Sequence, residues 1–348
     1  MSSTLDAPRS APTAPTLGHR LRRTLLGRDT AIIALLVVVY LYGYTQVPYF
    51  AGNLTISLLL LDVFPILLIA LPMTLVIITG EIDLSVASIL GLSSVMVGVL
   101  FQAGWSIPAA AIVALVVGLL CGALNGFLIT VVGLPSLAVT VGTLALYRGI
   151  AVGLLGTTAV TGFPSPWTSF VGTLIGGPTG AIPLVMVAFV VLAIVFIVVL
   201  HFTPIGRAIY AIGLNNEAAV FSGVSAARVK FTLYLATGVV SALAGVFWTL
   251  HFDSARGDNA LGYELSVVAA VLVGGVSIFG GRGALPGVIA AVLVIGSLRA
   301  LLRLAGVTDD VINVATGVLL IVSVIIPRLF ALWRTIRARH AMRARQQA

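Results

Sequence analysis

The sequence predicts an all-α polytopic membrane bundle of about ten transmembrane helices, built as an inverted five-plus-five repeat. Three observations lead there. The 348 residues are 59% hydrophobic and 9% charged, the composition of a multi-span helical chain. Between Asp83 and Arg207 the only charged side chain is Arg148. A water-soluble domain cannot solvate such a stretch, whereas a lipid-facing bundle can, its backbone being satisfied inside helices. Finally, Asp83-Leu84-Ser85-Val86 recurs as Glu264-Leu265-Ser266-Val267. Five spans lie between the two starts, an odd number, so the copies begin at opposite faces, as an inverted repeat requires.

The elements follow from hydropathy and turn residues. Residues 1–29, rich in Ser, Pro and Ala as far as Gly18, read as a disordered cytoplasmic N-terminus. The apolar stretch after Arg28 starts too late for a cleavable signal. A transmembrane domain fills 30–330, with spans at 30–47, 56–79, 84–102, 107–132, 135–155, 181–202, 230–252, 264–279, 284–305 and 310–328. Leu184 to Leu200 is apolar at every position, about the length that crosses a hydrocarbon core of roughly 30 Å. Pro65 and Pro72 are expected to interrupt the second span, and glycines thin the third, fourth and eighth. Residues 331–348 form a basic cytoplasmic tail.

Charge sets the orientation. The net charge of +8 is concentrated in Arg20, Arg22, Arg23 and Arg28 before the first span and in Arg328 to Arg345 after the last. With both termini in the cytoplasm, that side also receives Arg207, Arg228, Lys230 and Arg282, and the outer loops receive only Arg256. These are membrane flanks rather than a nucleic-acid surface. The lone Cys121 allows no intramolecular disulfide, and His19, His201, His251 and His340 show no ligand spacing, so no metal or intrinsic cofactor is expected.

Several polar groups interrupt this apolar background. Glu81 and Asp83 sit at a break between spans, where ionisable groups are costly and are kept for a pathway or a structural partner. Asp83 can cap the following helix by accepting an N–H near Ser85 or Val86, or it can meet a polar solute; Glu264 carries the same two readings. Gly118, Gly122 and Gly126 lie four apart on one helical face beside Asn125, the pattern of close helix packing bridged by a buried amide, with solute contact by Asn125 the lesser alternative. Thr140, Thr143 and Tyr147 share a face leading to Arg148. They either line a hydrophilic path, or Arg148 snorkels outward or pairs with a carboxylate. Ser85 and Ser266, one in each copy of the repeat, complete the candidate path.

The polar loop 204–229 is the strongest functional signal. Gly206-Arg207-Ala208-Ile209-Tyr210-Ala211-Ile212-Gly213 precedes Leu214-Asn215-Asn216-Glu217 and a short apolar run ending at Ser222-Gly223. Asn215 or Asn216 can cap a second short helix and Gly223 can end it, giving two pieces hinged at Gly213. A simple connection has no need of ordered, part-apolar helices; a docking surface does. Gly280-Gly281-Arg282-Gly283 follows a hydrophobic span, not a strand, and reads as a tight turn. The one lysine, Lys230, follows Val229, so the chain holds no Gly-Lys phosphate loop and any ATP energy must come from another chain.

On these residues the chain resembles the permease subunits of bacterial ABC sugar importers, in the branch containing ribose, xylose, rhamnose and autoinducer-2 permeases. The resemblance is carried by Gly80 to Val86, Asn125 to Thr130, Val141 to Leu144 with Tyr147-Arg148-Gly149, Gly206 to Gly213, and Gly274 to Gly283. Glu81 departs from it, standing where a small residue is expected. The resemblance implies a bacterial inner-membrane permease paired with a second permease subunit, identical or similar. It implies two ABC ATPase subunits carrying ATP-Mg on the cytoplasmic face, and an extracytoplasmic sugar-binding protein at outer loops 156–180 and 253–263. Gly206, Arg207, Gly213, Asn215, Asn216, Glu217, Ser222 and Gly223 would then couple to the ATPase. The expected function is alternating-access import of a monosaccharide or polyol-like solute, with no catalysis in this chain. The rival reading is an ion-coupled secondary transporter using Glu81, Asp83 and Glu264.

Overall fold

The computed structural model describes residues 28–308 and, beyond them, 310–312, 314–315, 317–318, 321 and 325. The expectations for residues 1–27, for most of the span at 310–328 and for the basic tail fall outside the described residues. The chain runs α1 (Arg28–Gln46), α2 (Asn53–Ile78), α3 (Val86–Gln102), α4 (Ile107–Thr130) and α5 (Ser136–Leu155). A loop with strand β1 (Val160–Thr161) and short helix α6 (Ser165–Gly172) leads to α7 (Val185–Phe202). Two short helices follow, α8 (Pro204–Leu214) and α9 (Asn216–Phe221), then α10 (Ala226–Phe252), strand β2 (Ser254–Ala255), α11 (Tyr263–Val273) and α12 (Leu285–Leu304).

Among the described residues six helices, α2, α4, α5, α7, α10 and α12, are long and apolar enough to cross a membrane; α1, α3 and α11 are shorter apolar helices. The molecule is a multi-pass membrane bundle. Its two ends differ. One carries α8, α9, the α2–α3 break and the 274–284 turn; the other carries the antiparallel pair β1–β2, which joins loop 156–180 to loop 253–263. Asp253 holds that junction by accepting the Gly162 and Phe163 N–H groups at 3.3 and 2.8 Å.

Both α2 and α7 are apolar all round, for opposite reasons. Every residue from Val63 to Thr79 is buried, so α2 is the central post, packed by α7, α10, α11 and α12. On α7 only Phe189, Ala193 and Leu200 are buried, and the rest of its surface is left for lipid. Pro65 and Pro72 do not interrupt α2, contrary to the sequence expectation: the helix continues through both, each buried among neighbouring helices, a setting in which membrane helices tolerate proline. The eighth span ends at Val273 instead of 279 because Gly274 packs against the Val288 backbone and Gly275 takes a φ of +96°.

The glycine stripe on α4 packs backbone to backbone against α10. A Cβ at Gly118 would strike Ala242 and the Gly238 carbonyl, and one at Gly122 would strike the Tyr234 carbonyl. Gly238 of α10 reciprocates against the Gly118 carbonyl. Where lipid offers no hydrophobic drive between helices, such backbone approach supplies the packing attraction. Gly122→Leu should therefore lower the detergent melting temperature, at about 1–3 kcal/mol for overpacking. Gly142→Ala, a helical site with open space around its Cβ, should leave it unchanged; equal melting of the two variants would contradict this packing.

Candidate functional site

The α2–α3 break is where the bundle buries charge. Gly80, at φ +85°, turns the chain out of α2, and residues 81–85 cross between the helices. Asp83 is fully buried there. Its Oδ1 accepts the Ser85 N–H at 3.0 Å and the Ser85 hydroxyl at 2.6 Å, and its Oδ2 accepts the Thr237 hydroxyl of α10 at 2.8 Å. Both oxygens are thus engaged, which the low-dielectric interior demands of a carboxylate. The Asn125 amide donates from Nδ2 to the Ser85 hydroxyl at 2.7 Å. Tyr147 of α5 sets its hydroxyl 3.2 Å from Asn125 Oδ1 and 3.0 Å from the Cys121 carbonyl, with one proton to offer them. One network therefore ties the break to α4, α5 and α10.

Glu81, two residues before Asp83, is matched separately. Its Oε1 lies 2.6 Å from Lys230 Nζ on the first turns of α10, both side chains being part-buried. The extra carboxylate and the only lysine form one pair. That pair fixes the break to the helix that directly follows α9.

Thr140 borders the break as well: its hydroxyl lies 2.8 Å from the Ser136 carbonyl of its own helix and 3.4 Å from the Ile82 carbonyl, while the Thr143 hydroxyl donates to the Thr140 carbonyl at 3.4 Å. The remaining path candidates lie elsewhere. Arg148 forms no ion pair among the described residues; its guanidinium donates to the carbonyls of Gly257 (2.9 Å), Asn259 (2.7 Å) and Ala87 (3.3 Å). It pins the β2 loop to α3. Asn259 strengthens that link by donating to the Ser94 hydroxyl at 2.9 Å, itself 2.6 Å from the Thr249 hydroxyl. In the same loop the exposed Arg256 donates to both oxygens of Asp258 at 2.9 Å and holds that carboxyl below the ordinary carboxylate range. Glu264 and Ser266 sit part-buried at the start of α11, at the end opposite Asp83 and Ser85.

At the other end, α8 and α9 form an ordered ledge. Thr203 caps α8 through the Gly206 N–H (3.4 Å), and Asn215, rather than Asn216, caps α9 by accepting the Ala218 N–H at 2.9 Å. The bend between the helices falls at Asn215, in extended backbone, and not at Gly213. Gly213 is needed for a different reason: a Cβ there would run into the Ile78 carbonyl and the Gly281 backbone. Gly281 N–H donates to that same Ile78 carbonyl at 2.8 Å, and the Tyr210 hydroxyl donates to the Gly283 carbonyl at 2.6 Å. Gly223, at φ +85°, ends α9. On the outer side of the ledge, Phe221 is 91% exposed and Leu214 68% exposed, beside exposed Arg207, Asn216 and Glu217.

Sequence reasoning missed Thr237, Ser94, Thr249 and the Glu81–Lys230 pairing. The hydroxyls carry no local signal in apolar helices; the lysine did, being the only one in the chain. Among the described residues no group of His, Cys, Asp or Glu is placed to hold a metal ion.

The family model described as branched-chain amino acid transport system / permease component matches residues 55–324. The autoinducer 2 import system permease protein LsrD of Yersinia enterocolitica is 36% identical over 310 residues, covering 86% of this chain and 91% of the relative. Its counterpart in Escherichia coli is 36% identical over 313 residues, covering 87% and 92%. That of Salmonella typhimurium is 36% identical over 264 residues, covering 74% and 78%. No solved structure matches the chain.

The Glu81–Lys230 pair makes a direct test of the break's attachment. Glu81→Gln and Lys230→Met should each destabilise the protein by about 1–3 kcal/mol, and the double variant should recover part of that loss. Thermal melts of the four proteins in one detergent measure the coupling; strictly additive losses would show that the pair contributes nothing.

Proposed function

The chain belongs to the branched-chain amino acid transport system / permease component family and is related to LsrD-type importer permeases; on that footing it is a membrane permease subunit of an ABC-type importer, and we propose that separate ATPase subunits drive it. In this reading the α8–α9 end is cytoplasmic, both termini lie on that side of a bacterial inner membrane, and the β1–β2 end meets an extracytoplasmic binding protein. A second permease subunit completes the core. The imported solute is a monosaccharide or similar polyol; the relatives' names place them in an autoinducer 2 import system, which favours a small polar solute.

One observation carries the proposal: a capped ledge that leaves Phe221 and Leu214 exposed. Fully exposing an aromatic side chain on an ordered helix has no folding benefit, and such patches mark partner surfaces. Gly213 seats this ledge directly on the Ile78 carbonyl at the foot of α2. Movement of the ledge under ATP-driven closure would therefore reach the central post without slack, tilting the spans between outward and inward access. The inverted repeat is read from the two copies, whose helices α3 and α11 start at opposite ends of the bundle. Coupling by Arg207, Asn216, Glu217 and Ser222 is assigned on the same ledge.

Ion coupling through intramembrane carboxylates is the less economical reading. Asp83 has both oxygens engaged by donors and Glu81 is matched by Lys230.

Phe221→Asp should weaken ATPase association by about tenfold or more, a hot-spot loss of roughly 2 kcal/mol. Arg207→Ala or Glu217→Ala should reduce solute uptake and its coupling to ATP hydrolysis while solute binding by the separate receptor stays intact. Uptake by reconstituted complexes checks this; unchanged uptake in all three variants, or uptake by the permease alone dissipated by an ionophore, would refute the proposal.

A further inference from the structure

The loop between α10 and α11 lies largely inside the bundle. Ala255, Gly257, Asn259 and Ala260 are buried, while Arg256, Asp258 and Leu261 are exposed. The alternation gives the loop an inner and an outer side. On the outer side Arg256 and Asp258 satisfy each other, and Leu261 is 70% exposed. That is the side a docked protein would meet.

The inner side is seated on three helices. Gly257 packs on α5, where a Cβ would lie 2.9 Å from the Val152 Cα. Ala255 packs on α3, its Cβ 2.7 Å from where one would stand on Gly98. Asn259 donates to the Ser94 hydroxyl of α3, which is hydrogen-bonded to that of Thr249 on α10.

Arg148 stands where this inner side comes closest to the buried break. Its Nη1 donates to the Gly257 and Asn259 carbonyls, and its Nη2 to the carbonyl of Ala87. Ala87 belongs to the first turn of α3, two residues after Ser85 and four after Asp83. One guanidinium therefore holds both the loop and the helix start that the Asp83 network fixes. Gly91 makes room for it: a Cβ there would sit 2.6 Å from Arg148 Nη1 and 3.1 Å from the Asn259 carbonyl oxygen. The preceding residue of α5 completes the junction, since the Tyr147 hydroxyl meets Asn125, which bonds Ser85.

The choice of side chain argues for more than an anchor. A neutral amide could hold loop carbonyls without placing a cation inside an apolar bundle, where an ionisable group is costly and marks function by default. The guanidinium contributes a planar fork, whose separate nitrogens keep the loop carbonyls and the α3 carbonyl in a fixed relation. Coupling between distant sites is carried by such packed and hydrogen-bonded links. The second half of the chain is arranged otherwise. Ser266, which answers Ser85 in the repeated motif, borders an open cavity of about 470 Å³ between α2, α11 and α12, with Arg299 and Asp62 on its wall.

We propose that Arg148 is a positioning residue that couples the outer loop 253–262 to the start of α3, so that docking of the binding protein over Arg256, Asp258 and Leu261 shifts the Asp83 break. Its part in transport rests on reading the chain as an importer permease whose β1–β2 end faces outward. The link itself does not.

The link is read first without partners. Arg148→Lys keeps the charge and loses the fork; Arg148→Gln loses both. Hydrogen–deuterium exchange of the full-length chain in phosphatidylcholine nanodiscs should quicken about tenfold or more in 253–262 and also in 84–90, the scale of one lost hydrogen bond to a charged group. Residues 185–202 of the lipid-facing α7 should be unaffected. Where Arg148→Gln does not fold, Arg148→Lys carries the comparison alone. Faster exchange in the loop only would make Arg148 a local anchor and overturn the proposal. Unchanged exchange at 84–90, or equal quickening in 185–202, would do the same. In the complex with ATPase and binding protein, Arg148→Lys should lower the ratio of stimulated to basal ATP hydrolysis about fivefold or more, as loss of coupling between two sites does. Loss of folded protein lowers both rates together and leaves that ratio alone. A wild-type ratio in the variant would overturn the proposal and spare the importer reading. A wild-type complex that ignores its binding protein would remove that reading and leave the link seen by exchange.

Discussion

Much of this bundle is arranged around one buried carboxylate. Asp83 sits fully enclosed between helices, where an isolated ionised group would cost several kcal/mol. Three donors meet it, two from Ser85 and one from Thr237. Those donors come from two separate parts of the chain, and Ser85 is itself gripped by Asn125 of α4 and through it by Tyr147 of α5. The requirement to satisfy one group thus fixes the mutual placement of α3, α4, α5 and α10. The glycine stripe of α4 serves the same end: only backbone approach as close as that of Gly122 to Tyr234 lets so short an amide as Asn125 reach Ser85 while Thr237 reaches Asp83 from α10.

This polar cluster is mechanically continuous with the proposed docking end. The ledge of α8 and α9 abuts the Ile78 carbonyl through Gly213, and that carbonyl also accepts from Gly281. Four residues separate Ile78 from Asp83, and within them Glu81 is tied to Lys230, four residues into α10. A displacement of the ledge is therefore felt at the break by two routes, through the foot of α2 and through the start of α10. Close-packed interiors transmit such shifts as changes between discrete arrangements rather than by yielding gradually. Hydroxyl and amide partners suit that behaviour, because Ser85, Thr237, Asn125 and Tyr147 can each exchange one acceptor for another at little net cost.

How much of this was legible in the residues depends on whether the physics is local. The membrane class, most of the span boundaries and the Asp83 to Ser85 contact were readable, since hydropathy and capping act within a few residues. Gly223 as the end of α9 was readable for the same reason. Gly213 was read as a hinge and is instead a close approach, because the surface it approaches belongs to residues 78 and 281. Pro65 and Pro72 were expected to break α2 because their effect on an isolated helix is known, whereas burial on all sides lets the helix run through them. Arg148 left three readings open, and backbone carbonyls 109 and 111 residues away were not among them. Thr237 had nothing to mark it: a threonine in an apolar helix more often bonds its own preceding turn.

The two halves of the chain solve one problem in two ways, and the difference bears on how a conduit can work. A site that must both admit and release a solute is poorly served by a full set of internal hydrogen bonds, because a solute would have to displace each of them. The Asp83 cluster is such a full set, and its worth is in holding four elements in one arrangement. The cavity beside Arg299 is the reverse, with a guanidinium nitrogen that has no hydrogen-bond partner among the described residues and a floor closed where Gly296 meets Val63. Where the first cluster carries Asn125, a short neutral amide that reaches its neighbours, the cavity carries Arg299, a long cation. One cluster then keeps the bundle in register, and the other leaves its polar groups lining an open space.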